Sequence, residues 1–112
     1  MIKISIYSNA QDLITGFKVI GHADYDEYGK DIVCSAVSVL IINTINSIDK
    51  FTSDKFSLKQ DEKKGLFDFK LSSIDISSNT SLLLDSLILG LTHIEKEYTN
   101  KYLKIQYKRA TK

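Results

Sequence analysis

Residues 32–48 read IVCSAVSVLIINTINSI, and this stretch determines the class of fold. Its seventeen residues are too many for an ordinary strand of about 5–6 residues. Apolar side chains recur at helical spacing, and one face of the helix collects Val33, Val37, Leu40, Ile41, Thr44 and Ile48. The β-branched residues lower helix propensity by only tenths of a kcal/mol each, which burial against a sheet outweighs. We predict a buried helix over 32–48 with Asp31 as its N-cap.

The residues before this helix alternate between apolar and polar, which is the pattern of half-buried strands. The alternation runs over 2–7, where isoleucine takes every second position, and returns over 13–21, where Phe17 and Val19 share a face. The two segments are predicted to pair as a hairpin. His22 has the opposite parity to Phe17 and Val19. Either the second strand ends before His22, or the side chain lies on the sheet face away from the helices. We favour the early strand end, because the second option conflicts with a site on the helix.

The second half of the chain repeats the hairpin-then-helix order. Alternation over 56–71 around a central turn predicts another hairpin, and 83–98 keeps helical spacing, with Asn79 or Ser81 as the cap. A last strand follows at 103–107. The order β-β-α-β-β-α-β predicts a two-layer α+β fold: a mainly antiparallel five-stranded sheet with both helices packed on one face.

Composition agrees with one globular domain over 1–112: 43% of residues are hydrophobic, 26% are charged and the net charge is +1. So small a charge argues against a nucleic-acid backbone as the main partner. The chain contains no run of about 18 apolar residues, the length that would predict a membrane span. The N-terminal MIKISIYS lacks a signal-peptide core. A single cysteine forms no internal disulfide, which fits a reducing compartment. We expect a cytoplasmic protein without membrane or direct nucleic-acid contacts.

The C-terminal stretch KYLKIQYKRATK is locally basic, with five lysine or arginine residues. A contact with the ribosome or RNA is one interpretation. An edge strand whose lysines prevent pairing with other chains is the favoured one.

The segment GHADYDEYGKDIVCSA, residues 21–36, contains the only cysteine and one of two histidines. With Asp31 as the cap, Cys34 is the third helical residue, and its sulfur lies where the helix dipole favours a negative charge by about 0.3–1 kcal/mol. That energy alone does not make thiolate the dominant species, so a nearby cation is needed, and His22 is the candidate. Asp31 either caps the helix or orients the His22 imidazole, and the two roles are compatible.

Simpler interpretations compete with catalysis. A lone cysteine on an apolar helix is usually a small buried hydrophobic side chain, and one cysteine with one histidine is a weak signal. His93, within the second helix, is predicted to be structural or exposed. One cysteine and two histidines supply too few ligands for zinc, and no glycine-rich phosphate loop is present. We predict neither a metal nor a cofactor.

The pattern of this segment resembles the ribosomal-processing cysteine proteases of bacteria, the Prp family. The matching residues are Gly21, His22, Ala23, Gly29, Asp31, Ile32, Val33, Cys34 and Ser38. Ser35 stands where many members carry alanine, which is a small departure. The resemblance extends over the whole chain, including its length and the late helix ending in IEKEY.

The resemblance implies a homodimeric cytoplasmic protease that removes the N-terminal extension of a large-subunit ribosomal protein precursor, cutting after paired phenylalanines. It implies Cys34 as the nucleophile and His22 as the general base and then acid, with Asp31 assisting. The loop from Gly21 to Lys30 resembles the family's mobile loop. The residues expected to bind substrate are Tyr25, Tyr28, Gly29 and Ser38.

Two functions of other classes remain open from the residues alone. One is a non-catalytic ribosome-assembly or binding module that uses the basic tail. The other is a thiol redox sensor, which requires an exposed, reactive Cys34 but no role for His22.

Overall fold

The computed structural model describes residues 1–21, 30–73, 75–98 and 101–109, with the backbone alone at Lys30 and Asp31. The observed order is the predicted one, β-β-α-β-β-α-β. The elements are β1 (Ile2–Ser8), β2 (Ile14–Ile20), α1 (Lys30–Phe51), β3 (Phe56–Asp61), β4 (Leu66–Leu71), α2 (Ser78–Glu97) and β5 (Leu103–Arg109).

The five strands form one sheet in the order β3-β4-β2-β1-β5. Both predicted hairpins are confirmed, since β1 pairs with β2 and β3 with β4, each antiparallel. Strand β4 is also antiparallel to β2, whereas β5 is parallel to β1. The sheet is therefore mixed and mainly antiparallel. Strand β5 lies at its edge, as predicted, and its Lys104 and Lys108 are exposed.

The core lies between one face of the sheet and the two helices. Because side chains alternate along a strand, every second residue of β1 faces the helices: Ile2, Ile4 and Ile6 are at most 3% exposed. In the centre of the sheet Phe17 of β2 stacks on Phe69 of β4, with ring centroids 5.0 Å apart. The helices cover this layer with Val33, Val37, Ile41, Ile45 and Ile48 of α1 and Leu84, Leu87 and Leu91 of α2.

Helix α1 begins earlier and ends later than predicted. Its first residue is Lys30, so Asp31 is the second helical residue and the prediction of Asp31 as the N-cap is wrong in position. Cys34 becomes the fifth helical residue instead of the third.

Helix α2 also starts before its predicted caps. Its N-cap is Ser77, and not Asn79 or Ser81, because Ser77 Oγ accepts a hydrogen bond from the Thr80 N–H at 3.2 Å. The backbone N–H and the hydroxyl of Ser77 both donate to Oδ2 of Asp54, at 3.0 and 2.8 Å. Hydrogen bonds from the Thr80 and Ser77 side chains hold the pKa of Asp54 below its ordinary value.

One helix in the described part of the chain, over Ile32–Phe51, is long and apolar enough to cross a membrane, with a mean hydropathy of 1.6. The sequence-based expectation that no segment is apolar enough to predict a membrane span is therefore wrong for this helix. The core helix of a two-layer fold passes the same test. Here α1 packs a continuous stripe of buried residues, from Val33 to Ile48, against the sheet.

Candidate active site

Cys34 lies in the second turn of α1, half-buried, where it packs against the hydrophobic core. Ser38 and Ile42 follow it at intervals of four residues, so the three side chains form one stripe along the helix. With a rise of about 1.5 Å per residue, this stripe is about 12 Å long. Ser38 is half-buried and Ile42 is 44% exposed, so the stripe runs between the core and solvent.

The stripe forms one wall of a cavity of about 250 Å³. The end of β2 and the start of β1 supply its floor, and the turn between β3 and β4 supplies the facing wall. The lining residues are Ile2, Val19, Gly21, Cys34, Val37, Ser38, Ile42, Gln60, Asp61, Glu62, Gly65, Leu66 and Phe67. The sulfur of the sole cysteine therefore borders a largely apolar space.

The β3–β4 turn, residues 61–65, is held by its own hydrogen bonds. The Asp61 carboxylate accepts from the backbone N–H groups of Lys63 and Lys64, at 2.9 and 3.4 Å. The N–H of Gly65 donates to the Glu62 carbonyl at 3.2 Å. Gly65 has φ +59°, a left-handed conformation that glycine adopts without strain.

Gly21 joins this turn to the end of β2. Its N–H donates to the Lys64 carbonyl oxygen at 3.1 Å, and its φ is +107°. A Cβ at this position would lie 2.5 Å from the carbonyl oxygen of Met1, so the site admits only glycine without a backbone shift. Strand β2 ends at Ile20, two residues before His22, as the parity of the strand requires.

The structure brings two of the predicted site residues, Cys34 and Ser38, to the same cavity. Asp31 lies one turn of α1 before Cys34, and its backbone alone is described. Four further predicted residues lie outside the described part of the chain: His22, Tyr25, Tyr28 and Gly29.

Sequence reasoning missed Ile42 and the wall formed by residues 60–67. Ile42 carried a usable signal, since it lies eight residues after Cys34 on the same helical stripe. No local sequence pattern indicated residues 60–67 as part of the site, because they lie beside the cavity only when β4 pairs with β2.

Within the described ranges, no group of three or more histidine, cysteine, aspartate or glutamate side chains is arranged to hold a metal ion. His93 is exposed on α2. Cys34 places a thiol beside the largely apolar cavity.

The family model described as "Cysteine protease Prp" matches residues 1–104. The ribosomal processing cysteine protease Prp of Staphylococcus aureus is 33% identical over 109 residues, covering 96% of this chain and all of the relative. The Bacillus subtilis protein of the same name is 29% identical over 101 residues, covering 88% of this chain and 90% of the relative.

Solved structures agree in fold over almost the whole chain. The S. aureus protease with a covalently linked product peptide superposes with a TM-score of 0.86 at 31% identity, covering 96% of this chain and 100% of that one. The same protease with a substrate peptide gives 0.84 at the same identity and coverage. Fold, length and sequence thus agree, and the chain belongs to the cysteine protease Prp family.

Proposed function

We propose that this protein is an endopeptidase that removes the N-terminal extension of a large-subunit ribosomal protein, cutting after a Phe-Phe pair through a Cys34–His22 dyad. One observation carries the proposal. The cavity bordered by Cys34 is also bordered by Gly21, the residue that immediately precedes His22. Cys34 and the residue that precedes the histidine in sequence therefore border the same cavity, which supports the pairing. The relatives named as ribosomal processing proteases, with peptides bound in two structures, support the substrate class.

The chemistry follows from the two side chains. The Cys34 sulfur attacks the scissile carbonyl carbon while His22 takes the thiol proton. The tetrahedral intermediate collapses to a thioester as the C–N bond breaks, and His22 passes the proton to the leaving amine. His22 then takes a proton from water, which attacks the thioester and releases the acid and the thiol. Backbone N–H groups in the first turn of α1 have no intrahelical partner and supply hydrogen bonds to the oxyanion.

We assign to Asp31 the role of orienting the His22 imidazole. It lies in the first turn of α1, one turn before Cys34, and not at the cap position. Asp31→Asn is expected to lower kcat/KM by more than its effect on the melting temperature explains. A variant that loses only melting temperature would make Asp31 a structural residue.

A homodimer in the cytoplasm is part of the same proposal. Leu82 and Leu89 lie seven residues apart on α2 and are 67% and 63% exposed, so this helix presents two large apolar side chains to solvent, with the exposed Asp85 and Ser86 between them. A partner chain that covered the two leucines would remove apolar surface from water. Leu89→Glu is expected to shift the sedimentation coefficient from dimer to monomer. The net charge of +1 supports a peptide rather than a nucleic acid as the partner.

The test is cleavage of a peptide that contains the Phe-Phe pair, with mass spectrometry of the products. Cys34→Ala is expected to abolish cleavage while peptide binding and folding persist. His22→Ala is expected to do the same, and to slow alkylation of Cys34 by iodoacetamide at neutral pH, with recovery at high pH. His93→Ala removes the other histidine, which is exposed on α2, and serves as the control.

Wild-type turnover by Cys34→Ala would rule out the protease. An unchanged profile of alkylation rate against pH in His22→Ala would show that His22 does not act on the thiol. In the host cell, the mass of the N-terminus of the ribosomal protein, with and without the active protease, identifies the substrate directly.

A further inference from the structure

Positive charge is concentrated on the side of the sheet that faces away from the helices. Both helices pack on the face that carries the core, and among the described residues no helix or strand covers the other face, here called the outer face. Side chains that alternate with the buried core residues along each strand point to this outer face. Six of them are lysines: Lys3, Lys18, Lys59, Lys70, Lys104 and Lys108.

Acidic side chains are nearly absent from the outer face. Among the strand residues of this parity only Asp61 and Asp68 are acidic, and backbone N–H groups hold the Asp61 carboxylate within the β3–β4 turn. The net charge of +1 does not reveal this asymmetry, because it averages 15 basic and 14 acidic residues over the chain. At physiological salt a bound polyanion interacts mainly with charges within about 8 Å. The argument from net charge against a nucleic acid therefore does not extend to the outer face.

The charge of these lysines is not neutralised within the fold. Among the described residues, no ion pair involves any of the six. Lys3 instead lies directly opposite Lys104 in the pairing of β1 with β5, and like charges at such positions repel. Lysines on edge strands keep other chains from pairing, but Lys3, Lys18 and Lys70 lie on the interior strands β1, β2 and β4. Edge protection therefore does not account for them, and their charge is left for a partner to neutralise.

An aromatic side chain lies among the lysines. Tyr7 is opposite Lys108 on β5 and opposite Gly16 on β2, and glycine has no side chain to cover the ring on that side. An open depression of about 420 Å³ lies there, lined by Tyr7, Thr15, Lys18, Asp68, Lys70 and Leu71. Single-stranded nucleic acids bind through bases that stack on aromatic rings and phosphates that contact cationic side chains. The outer face offers both kinds of group.

We propose that the outer face binds single-stranded RNA, with its lysines on the phosphates and one base against Tyr7. The choice of RNA over DNA rests on the proposed ribosomal substrate. Cys34 and its cavity lie on the helix side of the sheet, so RNA on the outer face leaves the cavity open to a peptide. A second copy of this chain is a poor occupant, because its outer face carries the same charge. An acidic protein or an anionic membrane offers charge but no bases to stack.

The experiment titrates the full-length protein into a labelled single-stranded oligouridylate at several salt concentrations and follows fluorescence anisotropy. Lys3→Gln with Lys70→Gln removes two exposed lysines of interior strands and is expected to weaken binding at least 10-fold. The slope of log K against log salt should become shallower by about 1.4, because each phosphate contact with a single strand contributes about 0.7. Lys50→Gln with Lys96→Gln, at exposed positions of the two helices, removes the same charge and leaves the affinity within 2-fold.

Two further variants separate the contributions of charge and stacking. Asp68→Asn removes the acidic side chain that lies opposite Lys18 and Lys59, so it is expected to tighten RNA binding at least 2-fold. This gain keeps the test valid if the double lysine variant does not fold. Tyr7→Leu is expected to weaken RNA binding at least 5-fold, because a stacked base loses its platform. Binding of polyglutamate, which has no bases, stays within 2-fold in this variant.

The assignment is overturned if the wild type does not bind the oligouridylate at low salt, or if the helix variant weakens binding as much as the outer-face variant. It is also overturned if Tyr7→Leu leaves RNA binding unchanged or weakens polyglutamate equally, or if phosphatidylglycerol vesicles bind more tightly than RNA. All these variants are expected to cleave the Phe-Phe peptide with wild-type kcat/KM. Failure of RNA binding therefore leaves the proposed protease standing, and absence of wild-type cleavage refutes the protease without changing the RNA result.

Discussion

Replacing Gly21 with alanine tests how the end of β2 positions the candidate site. Gly21 has φ +107°, and an added Cβ would lie 2.5 Å from the Met1 carbonyl oxygen. The backbone conformation alone costs about 1–3 kcal/mol for a non-glycine residue. The contact with a backbone oxygen cannot be relieved by a rotamer change, so the chain at Gly21 or at Met1 must move.

We therefore expect Gly21→Ala to lose about 2 kcal/mol or more of unfolding free energy, measured by urea denaturation. For a domain of this size each kcal/mol corresponds to a fall of roughly 4 °C or more in Tm. We also expect kcat/KM to fall by more than the loss of folded protein explains, because the shift occurs at the residue before His22 and at the border of the cavity. A misplacement of about 1 Å costs roughly 100-fold in rate.

Gly16→Ala is the matched control. A Cβ at Gly16 would also meet a backbone carbonyl oxygen, that of Phe69, too closely. Gly16 lies within β2, five residues before Gly21, or about 16 Å from it along an extended chain. This variant is expected to lose stability but to keep kcat/KM per folded molecule. The reasoning is refuted if both variants lose the same activity per folded molecule, or if Gly21→Ala is as stable as wild type.

Other predictions concern the rest of the fold. Ser77→Ala removes the α2 cap and should cost about 1 kcal/mol in urea denaturation; no loss would contradict the cap. Hydrogen bonds lower the pKa of Asp54, so its stabilisation is complete above its ordinary pKa and is lost as the pH falls through the lowered one. The stability difference between wild type and Asp54→Asn should therefore be constant near neutrality and shrink below about pH 4; a difference independent of acid pH would refute this. Phe69→Ala, at a fully buried ring, should cost about 3–5 kcal/mol by thermal denaturation, and a loss under 1 kcal/mol would be inconsistent with its packing. Arg109→Ala breaks an ion pair whose side chains are 57% and 77% exposed and should cost less than about 1 kcal/mol; a larger loss would show a role beyond the pair.

The elements themselves were predictable because their signals are local. The isoleucines of β1 alternate within seven residues, and α1 repeats its apolar stripe at every turn, so burial of one face follows directly from the sequence. An end of β2 before His22 was favoured for a similar reason, since His22 has the opposite parity to Phe17 and Val19, but parity did not fix the residue at which the strand stops, which is Ile20.

The helix starts were less predictable because capping depends on partners elsewhere in the chain. Ser77 caps α2 with the support of Asp54, which lies 23 residues earlier and approaches only when the fold closes. Two other polar residues, Asn79 and Ser81, fitted the local sequence pattern of an N-cap equally well.

The sequence by itself determined the order and type of the elements, the segments that form hairpins, and the thiol with its histidine as the candidate chemistry. The tertiary structure decided which strands are neighbours, including the parallel pairing of β5 with β1, and where the walls of the cavity lie. The reason is that periodicity is a property of adjacent residues. The space beside Cys34, in contrast, exists only because strand pairing brings the β3–β4 turn, some thirty residues away along the chain, opposite the helix.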